Sequence, residues 1–282
     1  MKRIARRPTH RNRSLLSNYF VLGLLATFSL LPLITLVFNS VKTTREIGSN
    51  PFGPPITIQL SNFPQAWVQG HYATTMRNSA IVVAGTVIGV CIIAGLGAYA
   101  LARLQVPGGD AFALYLLVSS SLPITLFLVP LFFLWNKLGL IDNLFGLIII
   151  LWATSSPFAT FLLRSYMVAV PADFEDAARV DGANEWQVLR HVMLPIVWPG
   201  FLTVSLVTGL TAWNQYILPL TFLHREDLQT VITSYQSFAG RFTRDWGLTS
   251  AAAIITMLPV LIFFLLLQRR FIEGLTQGGL KA

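Results

Sequence analysis

The chain has 282 residues, of which 54% are hydrophobic and 11% are charged. Soluble domains usually contain about 25% charged residues, so this composition excludes an ordinary soluble protein and predicts one embedded in a lipid bilayer. The net charge of +8 comes from basic residues in short runs beside apolar segments, which is typical of membrane proteins and argues against nucleic-acid binding. A single cysteine, Cys91, excludes an internal disulfide and a cluster of cysteine ligands around a metal within one chain.

The first apolar segment extends from residue 15 to about residue 38, after a start that has six basic residues and no acidic residue. A helix needs about 20 apolar residues to cross a bilayer, so this segment is long enough. A signal peptide would have an apolar region of only about 7–15 residues and a cleavage site between small residues, and no such site follows Phe38. We therefore predict an uncleaved membrane anchor.

Six apolar segments in all predict an all-α, polytopic membrane protein with transmembrane helices at about residues 15–38, 79–101, 111–135, 144–163, 197–222 and 249–267. Pro123 and Pro130 in the third span, and Pro157 in the fourth, are expected to bend the helices. The hydroxyl groups of residues 154–156 are expected to satisfy carbonyls that Pro157 leaves free. Outside the membrane, a short helix is predicted at residues 62–69.

Six spans place both chain ends on one side of the membrane. That side carries 13 of the 20 lysine and arginine residues, and the more basic side of a membrane protein faces the cytoplasm. We therefore predict cytoplasmic ends at residues 1–14 and 269–282, flanking a transmembrane domain at residues 15–268. Residues 39–76 and 221–248 then form the large loops on the opposite side.

Between the fourth and fifth spans, residues 164–196 form a polar lobe on the predicted cytoplasmic side. Pro171 suits the first position of a helix, and acidic residues follow it where they favour the positive end of the helix dipole. Gly182 allows the left-handed backbone that ends a helix. Asn184, with Gln187 three residues later, has the spacing of a capping box that restarts one. The pattern predicts a helix–glycine–helix lobe that a molecule outside the bilayer can bind.

The lobe resembles the "EAA" loop of ABC-importer permeases, whose pattern is Glu-Ala-Ala, three residues, Gly, nine residues and Ile-x-Leu-Pro. The matching residues are Asp176-Ala177-Ala178, Gly182 and Val192-Met193-Leu194-Pro195. Asp replaces Glu and Val replaces Ile, and the shorter Asp side chain leaves its usual contact open. Four further segments resemble the carbohydrate-uptake branch of the same family: residues 99–103, Trp213-Asn214, Asp245-Trp246-Gly247 and residues 267–276.

This resemblance implies a permease subunit in a bacterial inner membrane, coupled to a dimer of cytoplasmic ABC ATPases. It also implies a second, homologous permease chain and a solute-binding protein on the outer side. ATP and magnesium would be used by the ATPase, so this chain is expected to bind no cofactor and not to be an enzyme. The positions implied to dock onto the ATPase are Asp176, Ala177, Ala178, Gly182, Leu194 and Pro195.

The sequence contains no pattern typical of proton coupling, metal binding, nucleophilic catalysis or nucleotide binding. The predicted spans contain no Asp, Glu, Lys or Arg, which disfavours a proton-coupled transporter. The four histidines have no metal-ligand spacing, and none forms a recognisable pair with a nucleophile. No GxxxxGK[ST] phosphate loop occurs, so another subunit would have to bind ATP. We predict neither a catalytic nor a metal site.

Trp213, Asn214, Gln215 and Tyr216 could line the solute path, because aromatic faces and amides are typical sugar ligands. An interfacial aromatic belt explains Trp213 and Tyr216 equally well, and contact with a second permease or a binding protein is a further interpretation. The predicted solute is a sugar or a sugar-like molecule. The alternatives are an ABC permease for another solute such as an amino acid, an ion-coupled secondary transporter and, last, a membrane-embedded enzyme.

Overall fold

The structure is a computed structural model that describes residues 11–104, 106–242 and 244–279, with side chains described for 18–104, 106–242 and 244–266. The predicted cytoplasmic ends, residues 1–14 and 269–282, therefore lie partly outside the described residues. All regular secondary structure in the described part is helical, which confirms the all-α fold class.

The helices in chain order are α1 Arg11–Ser40, α2 Thr44–Ser49, α3 Asn62–Gln69, α4 Tyr72–Arg103, α5 Gly109–Ser121, α6 Leu128–Lys137, α7 Leu144–Val168, α8 Asp173–Val180, α9 Glu185–Val188, α10 Leu194–Ile196, α11 Trp198–Trp213, α12 Ile217–Phe222, α13 Val231–Arg241 and α14 Trp246–Gly279. A 3₁₀ turn precedes α6 at Ile124–Phe127, and a second precedes α13 at Glu226–Leu228. A π-helical turn at Leu189–Met193 joins α9 to α10. The predicted helix at residues 62–69 is confirmed as α3.

Four segments of the described helices are long and apolar enough to cross a membrane: Asn18–Ser40, Tyr72–Arg103, Leu144–Val168 and Trp246–Leu266. Two bent pairs pass the same criterion only when both members are taken together. Gly109–Ser121 and Ile124–Lys137 are bent by 88°, and Glu185–Ile196 and Trp198–Trp213 by 75°. Six spans therefore require that each bent pair acts as one span.

The predicted prolines have unequal effects on their helices. Pro123 ends α5 two residues earlier, since the residue before a proline is pushed out of the helical region, and Leu122 is extended at φ −86° and ψ 125°. Pro157, by contrast, lies within an uninterrupted α7. The predicted repair by neighbouring hydroxyls is not seen there: the Thr154 hydroxyl donates to the Ile150 and Leu151 carbonyls, at 3.1 and 3.3 Å, and the buried Ser156 Oγ has no hydrogen-bond partner in the described structure.

The described residues form two compact units, one within residues 11–68 and 239–255 and the other within residues 69–238 and 256–279. In the larger unit, α4 packs against α7 and α11. Gly89 allows this approach, since a Cβ there would overlap the indole of Trp152. The same indole donates to the Gly85 carbonyl at 2.9 Å. Small residues on α4 therefore serve helix packing.

In the smaller unit, the side chain of Lys42 is fully buried and joins the end of α1 to residues 50–53. Lys42 Nζ donates to the carbonyls of Asn50, at 2.8 Å, and Gly53, at 2.7 Å, and to Asn39 Oδ1 at 3.3 Å. The Asp245-Trp246-Gly247 segment lies in this unit as well: a Cβ on Gly247 would be 2.6 Å from the Lys42 carbonyl. A side chain at position 247 would therefore push this backbone apart.

Candidate docking lobe and solute path

The first lobe helix, α8, begins later than the sequence predicts. Ala172 is its N-cap, and the Ala172 carbonyl accepts from the backbone N–H groups of Glu175 and Asp176 at 2.9 and 3.0 Å. Pro171 therefore precedes the helix and is not its first residue, which corrects that prediction. The acidic residues still occupy the first turn of α8, where the helix dipole favours them.

The turn between α8 and α9 has the predicted geometry. Gly182 has φ +87°, and no atom lies within 4 Å of a Cβ placed on it, so glycine is needed for the backbone conformation and not for space. Asn184 and Gln187 form the capping box: Gln187 N donates to Asn184 Oδ1 at 3.0 Å, and Asn184 N donates to Gln187 Oε1 at 2.8 Å. Local sequence signals thus determine the shape of the lobe.

The six positions implied to dock onto the ATPase differ in how exposed they are. Asp176, Ala177, Gly182 and Pro195 are exposed, whereas Leu194 packs against the buried core of the larger unit. Half-buried Ala178 lines an open groove between α8 and α9, together with Gly182 and the side chains of Asp181, Ala183, Gln187, His191 and Val192. Four of the six positions are therefore accessible, and Leu194 holds the lobe onto its own helices.

A cluster of charged residues at the base of the lobe was not predicted from the sequence. Glu175 is only 2% exposed, and its Oε1 lies 2.6 Å from Arg103 Nε without the alignment of a hydrogen bond. Arg179 Nη2 lies 3.2 Å from Glu175 Oε2, and Arg179 Nε donates to Glu185 Oε1 at 2.9 Å. Tyr99 donates its hydroxyl proton to Glu185 Oε2 at 2.7 Å. The cluster thus connects α4, α8 and α9.

Arg103, the last residue of α4, also contacts the end of α7. Its Nη2 donates to the carbonyls of Met167 and Val170 at 2.7 and 2.5 Å. The Met167 carbonyl also accepts from the Val170 N–H at 3.1 Å, so the guanidinium adds a second donor to the last turn of α7, where carbonyls lack partners within the helix. The sequence signal available for this role was that Arg103 is a lone basic residue at the end of an apolar span.

The four residues predicted to line the solute path lie in different environments. Asn214 caps α11, because its Nδ2 donates to the Leu210 carbonyl at 2.9 Å. Trp213 lines an apolar cavity of about 380 Å³ between α4, α11 and α14, and its Nε1 is buried without a hydrogen-bond partner in the described structure. Gln215 and Tyr216 are half-buried in the break between α11 and α12. The structure therefore gives Asn214 a structural role and leaves Trp213 unsatisfied.

On the predicted outer side, Asp142 joins the turn before α7 to the end of α12. Its Oδ1 accepts from the backbone N–H groups of His224 and Arg225, at 2.5 and 3.0 Å, and its own N–H donates to the Phe222 carbonyl at 2.9 Å. Burial acts to raise the pKa of the Asp142 carboxyl, but the bonds from Arg225 and His224 outweigh it, so the pKa lies below its usual value. Asp142 is thus held in its charged form.

Comparisons with known proteins cover most of the chain. The model of the family described as "binding-protein-dependent transport system inner membrane component" matches residues 91–277, which include the lobe and its charged cluster. The diacetylchitobiose uptake system permease protein NgcG of Streptomyces coelicolor is 32% identical over 266 residues, covering 94% of this chain and 88% of the relative. The sulfoquinovosyl glycerol transport system permease protein SmoH of Agrobacterium fabrum is 31% identical over 264 residues, covering 93% of each.

Among solved structures, a chain of a bacterial ABC transporter involved in the import of the acidic polysaccharide alginate has the same fold. Its TM-score is 0.80 and its sequence identity 25%, and the match covers 95% of this chain and 100% of that one.

Proposed function

Because the chain belongs to the family of binding-protein-dependent transport system inner membrane components, we propose that it is one of two permease subunits of an ATP-driven importer in a bacterial inner membrane. The observation that carries this proposal is the lobe. It presents a capped, exposed turn around Gly182, while its base is tied to α4 and α7 by charged residues. Such a lobe can receive force from outside the bilayer and pass it to the membrane helices.

The lobe docks into a cleft on a cytoplasmic ABC ATPase. Asp176, Ala177 and Gly182 are exposed on the lobe, and Ala178 lines the open groove beside them. Small side chains allow close approach of a partner helix, and the Asp176 carboxylate offers an acceptor to a basic or backbone donor. Two copies of the ATPase bind ATP and magnesium, since this sequence contains no phosphate-binding loop of its own. The permease is then a non-catalytic subunit.

The transport mechanism is alternating access. ATP binding closes the two ATPases, the lobe moves with them, and the helices of this chain and of a second permease rearrange to open the path outward. A solute-binding protein delivers its cargo to loops 39–76 and 221–248. This mechanism requires the lobe to lie in the cytoplasm, which is the side that the distribution of basic residues predicts for it and, with six spans, for both chain ends.

The solute is a sugar or an oligosaccharide. Two relatives, 32% and 31% identical, are named for the uptake of diacetylchitobiose and the transport of sulfoquinovosyl glycerol, and the similar solved transporter is involved in the import of the acidic polysaccharide alginate. Trp213 is the residue of this chain that offers an unpaired donor beside the break at residues 214–216. In the assembled importer, we assign its indole and the adjacent half-buried Gln215 to the solute path.

The experiment that tests this proposal is purification of the tagged chain from its native membrane in mild detergent, with identification of the proteins and the small molecule that accompany it. An ABC ATPase, a second permease and a sugar-loaded binding protein are the expected result. An amino acid on the binding protein would contradict the sugar assignment alone. A chain that purifies alone from membranes in which uptake collapses with an ion gradient would contradict the importer and favour a secondary transporter.

A further inference from the structure

The base of the lobe carries a connection to α4 that the docking function by itself does not require. Arg103 lies at the end of α4 and contacts Glu175 on α8, while its Nη2 is bound to the carbonyl end of α7. One turn earlier on α4, Tyr99 is bound to Glu185 at the start of α9. Residues four apart on a helix lie on the same face. Both lobe helices are therefore tied to one face of α4.

We propose that Arg103 and Glu175 form a rigid joint, which makes α4 move with the lobe when the ATPase changes its nucleotide state. This inference rests on the proposed function, because it presumes that an ATPase moves the lobe. Arg103 and Glu175 are positioning residues in this proposal: they transmit the movement and need not touch the ATPase or the solute.

Burial is the first reason why this contact is rigid. The side chains of Arg103 and Glu175 are 13% and 2% exposed, so water cannot replace either partner at low cost. A buried ion pair adds little stability compared with apolar packing, but separation of its members leaves the buried Glu175 with only the half-exposed Arg179 as a cationic contact. The energy therefore rises steeply when the two residues part. An exposed pair, which water screens, lacks this property.

A second set of bonds, which is partly exposed to solvent, limits rotation about the joint. Arg179 bridges Glu175 on its own helix and Glu185 on the next, at 3.2 and 2.9 Å. Glu185 in turn accepts from Tyr99. Two separate points on α4, four residues apart, thus hold the same arginine-centred cluster, and a body fixed at two points cannot pivot freely about either one.

The opposite side of the lobe has the features of a hinge. There the chain leaves α9 through the π-helical turn at 189–193 and then bends by 75° before α11. Pro195 removes an N–H that an α-helix would use at this place. The lobe is thus fixed to α4, whereas the angle between the lobe and α11 can change. A push from the ATPase would then displace α4 and reorient α11, which changes the packing between the two.

The test compares two states of the whole complex in lipid nanodiscs by electron cryomicroscopy: nucleotide-free, and trapped with Mg-ATP and vanadate. We expect Arg103 Nε and Glu175 Oε1 to stay within about 4 Å, the usual limit of an ion pair, in both states, while residues 99–103 move with the lobe. A pair that separates in either state overturns the proposal, because the joint would then be a switch or an incidental contact.

The variant that tests transmission is Glu175→Gln, with Asp110→Asn as its control at an exposed position of α5. Glu175→Gln should retain the ATPase on purification, whereas the ratio of complexes in which residues 99–103 follow the lobe to those in which they do not falls by about twofold or more, the lower end of the effect on an equilibrium that is expected when a coupling contact is lost. Asp110→Asn should behave as the wild type. If Glu175→Gln does not insert, Tyr99→Phe removes only the second attachment and should reduce the displacement in the same direction.

Failure of the inference differs from failure of the proposed function. A wild-type complex without an ATPase contradicts the function itself. A Glu175→Gln complex that retains its ATPase and moves α4 as far as the wild type contradicts only the joint. A variant that inserts but loses the ATPase also overturns the joint, since Glu175 would then serve docking.

Discussion

The lobe and the break between α11 and α12 both interrupt apolar segments, but their buried polar groups differ in the partners that they have within the chain. In the lobe, the capping box at Asn184 is complete, and Glu175 Oε1 lies 2.6 Å from the opposite charge of Arg103, although this oxygen and Arg103 Nε are not aligned as a hydrogen bond. At the break, Trp213 Nε1 is buried without an acceptor in the described structure, beside an apolar cavity. Opposite charges in contact keep the lobe in one shape, whereas a buried donor without an acceptor leaves the break able to bind a partner or a solute.

The largest expected effect is a loss of stability when the buried ion pair at the base of the lobe is broken. Arg103→Met leaves the buried Glu175 with Arg179 as its remaining cationic contact, and loss of one partner of a buried pair costs about 3 kcal/mol or more. The free energy of unfolding of the purified chain should fall by that amount. The double variant Arg103→Met, Glu175→Leu should recover most of it. A single variant as stable as the wild type would show that the pair is dispensable for the fold.

The next effect concerns the turn of the lobe. Gly182→Pro cannot adopt φ +87°, because proline is fixed near −65°, so α8 and α9 should no longer present one surface. Binding of the ATPase and solute uptake should fall at least about tenfold, which corresponds to ~1.4 kcal/mol of docking free energy, at normal membrane abundance. The matched control is Gly182→Asn, since asparagine tolerates the left-handed region. Normal uptake by the proline variant would count against docking through this turn.

A smaller effect tests the assignment of Trp213, beside the break at residues 214–216, to the solute path. Trp213→Phe removes a buried N–H without a partner, and such a group costs about 1–3 kcal/mol. The thermal midpoint of the isolated chain should therefore stay the same or rise, while uptake at limiting solute falls. If stability and uptake fell together, Trp213 would be a packing residue. Asn214→Ala is the comparison, because loss of its bond to Leu210 should reduce stability alone.

The smallest expected effect is the pH dependence of the stability that Asp142 gains from the N–H groups of His224 and Arg225. Its pKa is lowered in the folded protein, so its contribution to stability is present above the unfolded carboxyl pKa of about 3.9 and is lost as the pH falls through the lower folded value. The unfolding free energy of the wild type should decrease in that acidic range by more than that of Asp142→Asn. The asparagine keeps an acceptor and tolerates φ +52°. Identical pH profiles would show that the charge of Asp142 is irrelevant.

The sequence predicted what depends on local signals. The all-α class follows from apolar segments of span length, and the turn of the lobe follows from Gly182 and from the spacing of Asn184 and Gln187. The family resemblance, read from the lobe, is confirmed by the family match to residues 91–277. Each of these signals lies within a short stretch of chain, where propensity and capping decide the outcome.

The sequence did not predict the charged cluster, which depends on tertiary contacts, and it misplaced the start of α8 for a local reason. Glu175 looks like an ordinary first-turn acid of α8, and its burial depends on Arg103, which is 72 positions away in the printed sequence. Asn214 caps its own helix through a local bond to the Leu210 carbonyl, and its place in the solute path stays a prediction. Pro171 stands outside α8 because Ala172 takes the cap. The solute path is harder still, since a second chain is expected to complete it.

The engaged amine of Lys42 has a practical consequence for mapping the membrane topology. Its nitrogen is buried and donates to three oxygens, so an amine-reactive reagent cannot reach it in the folded protein. Lys137, at the end of α6, is exposed. Among the lysines whose side chains the structure describes, Lys137 alone can therefore react, and a membrane-impermeant reagent applied from outside the cell would report at one position which way the chain faces.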